Sequence, residues 1–181
     1  NPDNRSAQRN VLGVAVNDTV ILAYGRLSYH NKSHPLPLLL AAEAIAKKRE
    51  AADKAGKIHV VFFGYFTAES FRDDYIKAAS DICETANVTF IENHDPRFPD
   101  ALWAGSDIFV SLVDNIQESF GLTPIEAMAC GLPVLVADWD GYRDTVRNGV
   151  DGFLVPTLAP PPGSGQELIR RYLAGEDVYG E

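Results

Sequence analysis

The chain alternates short, continuous apolar runs with longer segments in which apolar residues recur at helical spacing. The apolar runs are residues 19–24, 57–63, 88–91, 107–113, 133–137 and 152–155. The segments with helical character are residues 35–52, 70–86, 99–104, 124–130 and 141–147. Continuous apolar runs without alternation indicate strands buried on both faces, as in parallel sheets covered by helices. The sequence therefore predicts an α/β fold, with a doubly wound, mostly parallel sheet and helices on both faces.

The distribution of polar, proline and glycine residues predicts one main domain with short additions at its ends. Residues 1–18 are polar and rich in Asn, which predicts a poorly ordered lead-in, and the start at Asn1 predicts a fragment boundary or a processed end. The main, ligand-binding domain is predicted over residues 19–157. A linker rich in Pro and Gly is predicted over 158–165, followed by a C-terminal helix and tail over 166–181.

The acidic composition excludes several classes of partner. Asp and Glu outnumber Lys and Arg by 25 to 16, a net charge of −9, so no broad surface for nucleic acid or an anionic membrane is expected. A small phosphate-bearing ligand remains allowed, because it needs only one or two local cations. No apolar run reaches about 18 residues, which predicts no transmembrane segment. The two cysteines, Cys83 and Cys130, lack the spacing of a metal site and predict a reducing, cytoplasmic location.

Residues 114–133 form the segment with the strongest chemical signal, since they read as a strand end, a loop and a helix start. Ligands of doubly wound sheets bind beyond the carboxyl ends of the strands, which is where this loop is expected. Thr123 is predicted as the helix N-cap and Pro124 as the first helical residue. The backbone amides of Gly121 and Leu122 then lie at the helix N-terminus, where an anion such as phosphate is stabilised.

The same segment carries a resemblance to a known family. Glu118 and Glu126, separated by seven residues and followed by Ala-Met-Ala and Gly-Leu-Pro-Val, resemble the paired-glutamate signature of family-4-type retaining glycosyltransferases, or glycosyl transferases group 1. The run Gly-Val-Asp-Gly-Phe-Leu-Val at 149–155 resembles a strand of that family. Gly25-Arg26, followed by Lys32, resembles its first-strand cation pair.

The resemblance implies the C-terminal, nucleotide-sugar-binding half of a GT-B fold, in which two Rossmann-like domains face each other across a cleft. It implies that Glu126 binds the ribose hydroxyls and that Glu118 contacts the donor sugar. Arg26 and Lys32 would neutralise the departing diphosphate, so no metal or other cofactor is required. The implied catalytic residues are Glu118, Arg26 and Lys32. The implied nucleotide-sugar contacts are Gly25, Arg26, Lys32, Glu118, Phe120, Gly121, Leu122 and Glu126.

On this resemblance the chain binds a nucleotide-diphosphate sugar, from which a hexosyl-type sugar is transferred to an unknown acceptor. The family's N-terminal acceptor domain is missing from the sequence, so the isolated chain is expected to be inactive in transfer. One alternative is a non-catalytic Rossmann-like domain that binds a nucleotide or a protein partner. A dinucleotide-binding oxidoreductase module is disfavoured, because residues 25–30 after the first strand do not supply Gly-x-Gly-x-x-Gly.

Each implied residue also has an ordinary structural interpretation. Thr123 and Glu126 have the spacing of a capping box, in which the glutamate only satisfies a backbone amide. Glu118 and Lys32 would then be solvated loop residues, and Arg26 would pair with a surface acid. Compared with the family, Arg26 and Lys32 are one residue further apart, Ser33 stands where Gly is common, and Asp144 replaces a frequent Glu.

The sequence offers one alternative for metal binding. Asp138 and Asp140 form an Asp-x-Asp pair after a predicted strand, a pattern that holds a divalent ion in the other large glycosyltransferase fold. That fold does not carry the paired glutamates, so the two carboxylates are interpreted as exposed loop acids. The base is expected near Tyr65 and residues 92–95, where a contact from His94 is left open. No metal-ligand spacing links the histidines His30, His34, His59 and His94.

Overall fold

The computed structural model of the protein describes residues 2–29, 32–92, 99–115, 118–158, 161–163 and 165–175. The apolar runs form one six-stranded sheet in the order β3-β2-β1-β4-β5-β6. The strands are β1 (Thr19–Leu27), β2 (Ile58–Phe66), β3 (Asn87–Glu92), β4 (Ile108–Ser111), β5 (Val134–Ala137) and β6 (Gly152–Val155). All neighbouring strands pair in parallel. The predicted α/β fold with a doubly wound parallel sheet is confirmed.

Helices cover both faces of this sheet. They are α1 (Pro2–Leu12), α2 (Leu36–Ala51), α3 (Glu69–Ile82), α4 (Pro99–Gly105), α5 (Leu122–Ala129), α6 (Tyr142–Thr145) and α7 (Gln166–Leu173). Successive residues of a strand point to opposite faces, so Val20 and Leu22 of β1 enter one hydrophobic cluster and Ile21 enters the other. Burial on both faces explains why the central parts of these strands are continuous apolar runs without alternation.

The amino-terminal segment corrects the sequence-based expectation. Residues 1–18 were expected to be a poorly ordered lead-in, but residues 2–12 form α1, which packs against α4. Arg9 is only 3% exposed and donates hydrogen bonds to the carbonyl oxygens of Ala15 and Gly105, at 2.8 and 2.9 Å. Its guanidinium also bonds the carboxylate of Asp107 at 3.1 Å. The helix is therefore held by arginine contacts to distant residues, which leave little signal in local hydrophobic periodicity.

The carboxyl-terminal part departs less from the sequence-based expectation. The predicted helix after residue 165 is present as α7, while part of the predicted linker at 158–165 lies outside the described residues. Within the described part of the chain, no helix is long and apolar enough to span a membrane.

The buried arginine of α1 gives a test of this anchoring. Replacing Arg9 with Met removes one donor to the carboxylate of Asp107, which keeps its contacts with Arg5 and the Val20 amide, and removes the hydrogen bonds to the carbonyl oxygens of Ala15, Asp18 and Gly105. We expect the free energy of unfolding to fall by about 3 kcal/mol, as for other broken buried pairs. Urea denaturation measures this loss, and Arg170→Met, which breaks an exposed pair with Glu167, serves as the control and should stay close to the parent. Equal stability of Arg9→Met and the parent would show that the contacts of Arg9 do not anchor α1.

Candidate functional site

A cavity of about 520 Å³ opens at the carboxyl ends of β1 and β4. The chain winds outward from these two strands in opposite directions, which makes this edge the expected ligand crevice of a doubly wound sheet. The volume lies within the range of small-molecule sites. The lining residues come from β1, β2, the loop after β1, the end of β4 and the segment 118–123, with Tyr75 and Tyr142.

The cavity brings together all the predicted site residues except Glu126. Its lining includes Gly25, Arg26, Lys32, Glu118, Phe120, Gly121 and Leu122. Strand β1 runs three residues further than the sequence predicted, so Gly25 and Arg26 belong to the strand itself. Gly64 of β2 lies beside Gly25, and a Cβ atom on Gly64 would be 1.7 Å from the Gly25 carbonyl oxygen. Glycine at position 64 therefore permits the close approach of the two strand ends.

Lys32 and Glu118 form an ion pair inside the cavity. The Nζ atom of Lys32 lies 2.5 Å from Oε2 of Glu118, and the side chains are 22% and 14% exposed. Neither residue is thus the solvated loop residue of the alternative interpretation. The extra residue between Arg26 and Lys32 does not prevent Lys32 from lining the cavity. The backbone amide of Lys32 donates to the Ser28 carbonyl oxygen at 3.0 Å.

Arg26 supplies a second cation to the cavity. It is half-buried and lines the cavity at the end of β1. Among the described residues, no side chain forms an ion pair with Arg26. A partly desolvated guanidinium in this position attracts an anion with several hydrogen-bond acceptors, such as a diphosphate.

Helix α5 begins earlier than the sequence predicted. Its N-cap is Gly121, with φ of 76°, and the helix includes Leu122 and Thr123. The expectation that Thr123 is the N-cap and Pro124 the first helical residue is therefore wrong. The left-handed backbone that glycine allows lets the helix start two residues sooner. The unpaired amides of the first turn still lie next to the cavity, as an anion site requires.

The observed start of α5 at Leu122 bears on the capping-box interpretation of Glu126. Because Thr123 lies inside α5, the capping box with Glu126 does not form. Glu126 is exposed in the second turn, outside the cavity lining. Within the described part of the chain, its carboxylate has no hydrogen bond or ion pair.

Tyr142 packs against the turn at Gly121, which precedes α5. It is 1% exposed, and its hydroxyl lies 2.9 Å from Oγ of Ser111 at the end of β4. The pKa of Tyr142 is raised to about 12, mainly by burial; the hydrogen bond with Ser111 opposes this rise, and the charge of Glu118 adds to it. The ring packs directly against Gly121, and the backbone of Ser119 packs against Gly141. A neutral, packed tyrosine therefore fixes the turn that precedes α5.

Sequence reasoning missed the residues that connect these loops. The indole Nε1 of Trp139 donates to the Asn115 carbonyl at 3.0 Å, and the Asn115 side chain donates to the Lys32 carbonyl at 3.2 Å. Tyr75 donates to the Ser33 carbonyl at 2.9 Å. Their available signal was position alone, since Asn115 and Trp139 follow strands at the carboxyl edge.

The two carboxylates of the Asp-x-Asp pair have different surroundings. The carboxylate of Asp138 accepts a hydrogen bond from Arg143 at 2.6 Å, while Asp140 is exposed with φ of 34°. Among the described residues, no three His, Cys, Asp or Glu side chains cluster as metal ligands would. His59 pairs with Asp18, and His34 contacts the ring of Tyr29. The base-pocket prediction at residues 93–95, with His94, lies outside the described residues, as does His30.

The chain is similar in sequence to known glycosyltransferases. The sequence pattern of the family described as glycosyl transferases group 1 matches residues 4–176. The chain is 36% identical to D-inositol 3-phosphate glycosyltransferases of Rhodococcus opacus (strain B4) and Rhodococcus jostii (strain RHA1), over 85% of this chain and 33% of each relative. The chain thus spans about a third of the length of these curated relatives.

A solved structure is similar over nearly the whole chain. HepE from Anabaena, in complex with UDP-glucose, matches with a TM-score of 0.67 and 26% identity, over 96% of this chain and 43% of HepE. These comparisons confirm the predicted family and the Rossmann-like half of a GT-B fold.

The glycine turn gives a test with a matched control. An alanine at position 121 would place its Cβ 2.0 Å from Cε1 of Tyr142, whereas an alanine at Gly131 would meet nothing within 4 Å. Both glycines have positive φ, of 76° and 81°, so each substitution costs about 1–2 kcal/mol of backbone strain. We expect Gly121→Ala to lose about 1–3 kcal/mol more from overpacking. Urea denaturation of both variants measures the difference, and equal losses would show that Tyr142 does not support the turn.

Proposed function

We propose that this chain, which belongs to the glycosyl transferases group 1 family, binds the nucleotide-diphosphate-sugar donor of a retaining glycosyltransferase. The carrying observation is the convergence of Arg26, Lys32, Glu118 and the α5 N-terminus on one cavity at the sheet's carboxyl edge. That combination offers two cations and unpaired amides for a diphosphate, and a carboxylate for the attached sugar. The transferred group is proposed to be of the hexosyl type.

The cations have a chemical role beyond binding. Breaking the bond between the sugar and the diphosphate leaves negative charge on the leaving group. Arg26 and Lys32 stabilise that charge from fixed positions, together with the first-turn amides of α5. Charge stabilisation by the protein itself removes the need for a metal ion, and metal independence is part of the proposal.

Donor binding is proposed to break the ion pair between Lys32 and Glu118, so that each residue contacts a different part of the donor. In the cavity, Lys32 and Glu118 satisfy each other at 2.5 Å. An entering diphosphate offers Lys32 a stronger anionic partner, and the hydroxyls of the sugar offer donors to the released carboxylate. Exchange of partners keeps both half-buried charges compensated, which avoids the penalty of leaving either one unpaired.

Glu126 is proposed to accept hydrogen bonds from the ribose hydroxyls. Its carboxylate is exposed and has no partner within the described residues, so no existing contact must be broken. It lies on the same short helix whose N-terminus lines the cavity. A ribose that extends from the diphosphate along α5 would reach it.

UDP is the proposed nucleotide and glucose the first sugar to test. HepE, which is 26% identical and aligns over nearly all of this chain, is known in complex with UDP-glucose and with UDP. The chain spans about a third of the curated relatives, so their names do not identify its acceptor. The acceptor domain of the family is proposed as the partner that faces the cavity, in the cytoplasm.

The first test is calorimetric titration of this chain with UDP, with and without a chelator. We expect modest affinity that a chelator does not change and that rising salt weakens. Arg26→Met should lower the affinity about ten-fold or more, since it removes a charge-assisted hydrogen bond. Lys48→Met removes a cation of α2 outside the cavity and should leave the affinity unchanged.

A sugar-transfer assay with UDP-glucose accompanies this titration. We expect no transfer by this chain alone, because reaction requires donor and acceptor to be held together in reactive geometry. Binding that vanishes with chelator would move the proposed anchor to Asp138 and Asp140. Absence of any binding would favour the non-catalytic alternative, and robust transfer would show that the chain is a complete catalytic unit.

Glu126→Gln tests the ribose contact. The substitution keeps the size and polarity of the side chain but removes its charge, so we expect UDP affinity to fall about ten-fold or more. The matched control is Glu50→Gln, an exposed glutamate of α2 outside the cavity, which should bind as the parent does. Unchanged affinity of Glu126→Gln would refute the charged ribose contact.

A further inference from the structure

Asn115 lies where three loops of the site meet. Its backbone carbonyl oxygen accepts hydrogen bonds from Nε1 of Trp139 at 3.0 Å and from the amide of Glu118 at 3.1 Å. Its side-chain Nδ2 donates to the carbonyl oxygen of Lys32 at 3.2 Å. Lys32 follows β1, Asn115 and Glu118 follow β4, and Trp139 follows β5. One residue thus joins the loops at the carboxyl ends of three adjacent strands.

Trp139 connects this junction to the core. Its half-buried ring packs against the hydrophobic cluster that contains Tyr142 and Val136. A tryptophan held by packing presents its indole N–H in one direction, so the carbonyl of Asn115 has a fixed donor. The position of Asn115 is therefore set by the core.

Three contacts link Asn115, Lys32 and Glu118 into a closed ring, and the ion pair of the cavity is one of them. Asn115 bonds the backbone of Lys32 through its side chain and the backbone of Glu118 through its carbonyl. The ring is completed by the contact from Nζ of Lys32 to Oε2 of Glu118. Both charged side chains are flexible, and fixing the backbone at the base of each reduces the conformational freedom that the ion pair must overcome.

We propose that Asn115 is a positioning residue that sets the spacing between Lys32 and Glu118. Through this spacing it prepares the cation for the diphosphate and the carboxylate for the sugar, a consequence that rests on the proposed function. The spacing itself does not depend on the ligand and is measurable in the ligand-free chain. Asparagine suits the role because an amide nitrogen donates to the Lys32 carbonyl, whereas the carboxylate of an aspartate would repel it.

A double-mutant cycle in the ligand-free chain tests the spacing. The cycle compares Lys32→Met, Glu118→Gln and the double variant by urea denaturation, and we expect a coupling of about five-fold or more in the unfolding equilibrium constant. In the background of Asn115→Asp the coupling should fall below about two-fold. Trp139→Phe, which keeps an aromatic ring but removes the N–H donor, should also reduce it.

Asn148→Ala is the matched control background. Its side chain also bonds one backbone group, accepting from the amide of Leu154 at 3.1 Å, but it lies outside the cavity lining. This variant should lose some stability and keep the full coupling. If Asn115→Asp does not fold, Asn115→Ser takes its place, since a shorter hydroxyl side chain removes the same contact without adding a charge.

Two results of the cycle overturn the proposal. Absence of coupling between Lys32 and Glu118 in the parent would mean that there is no spacing to set. Full coupling in the variants of both Asn115 and Trp139 would mean that other residues set it.

Titration with UDP and with uridine tests the consequence for the donor. Asn115→Asp should lower UDP affinity about ten-fold and change uridine affinity less than about two-fold, because only UDP carries the diphosphate. A purely structural role would weaken both equally. If the variant loses the coupling yet binds UDP as the parent does, the spacing role stands and its proposed consequence for the diphosphate is overturned. If the parent binds no UDP while the coupling depends on Asn115, the proposed function fails and the positioning role stands.

Discussion

The pairing of β1 with β2 on one side and β4 on the other places every other part of the site. Because the chain leaves β1 in one direction and β4 in the other, the loops after these strands separate and leave a crevice between them. Arg26 and Lys32 lie at or after the end of β1, and Glu118 lies after the end of β4. Residues distant in sequence thus meet because parallel strands end at the same edge.

In the absence of a ligand, none of the charges that the structure describes at this edge is both buried and unpaired, so none carries a large desolvation penalty. Lys32 and Glu118 compensate each other, while Arg26 keeps partial access to solvent. The protein as a whole is acidic, with a net charge of −9, so the two cations form a local exception. A local exception of this kind fits the proposed small anionic ligand better than an extended polyanion.

The sequence predicted the sheet well because each strand contains a continuous apolar run without strict alternation, a pattern typical of buried parallel strands. Of the residues singled out by the family resemblance, Gly25, Arg26 and Glu118 line the cavity, whereas Glu126 lies outside it. Prediction from the sequence failed where distant contacts decide local structure. Helix α1 depends on Arg9 bonding residues near position 105, and α5 starts early because Gly121 adopts a left-handed conformation. Asn115 and Trp139 carry no local pattern, since their role exists only after the loops have come together.

The contact between Gly121 and Tyr142 also restricts how the sequence can diverge. The two positions are 21 residues apart in sequence, but the ring of Tyr142 occupies the space that a side chain at position 121 would need, next to the start of α5. A side chain at position 121 fits only if position 142 becomes smaller, and a smaller residue at 142 alone leaves a void beside the Ser111 hydroxyl. The two positions are therefore expected to change together among homologous sequences, as a coordinated pair rather than as independent sites.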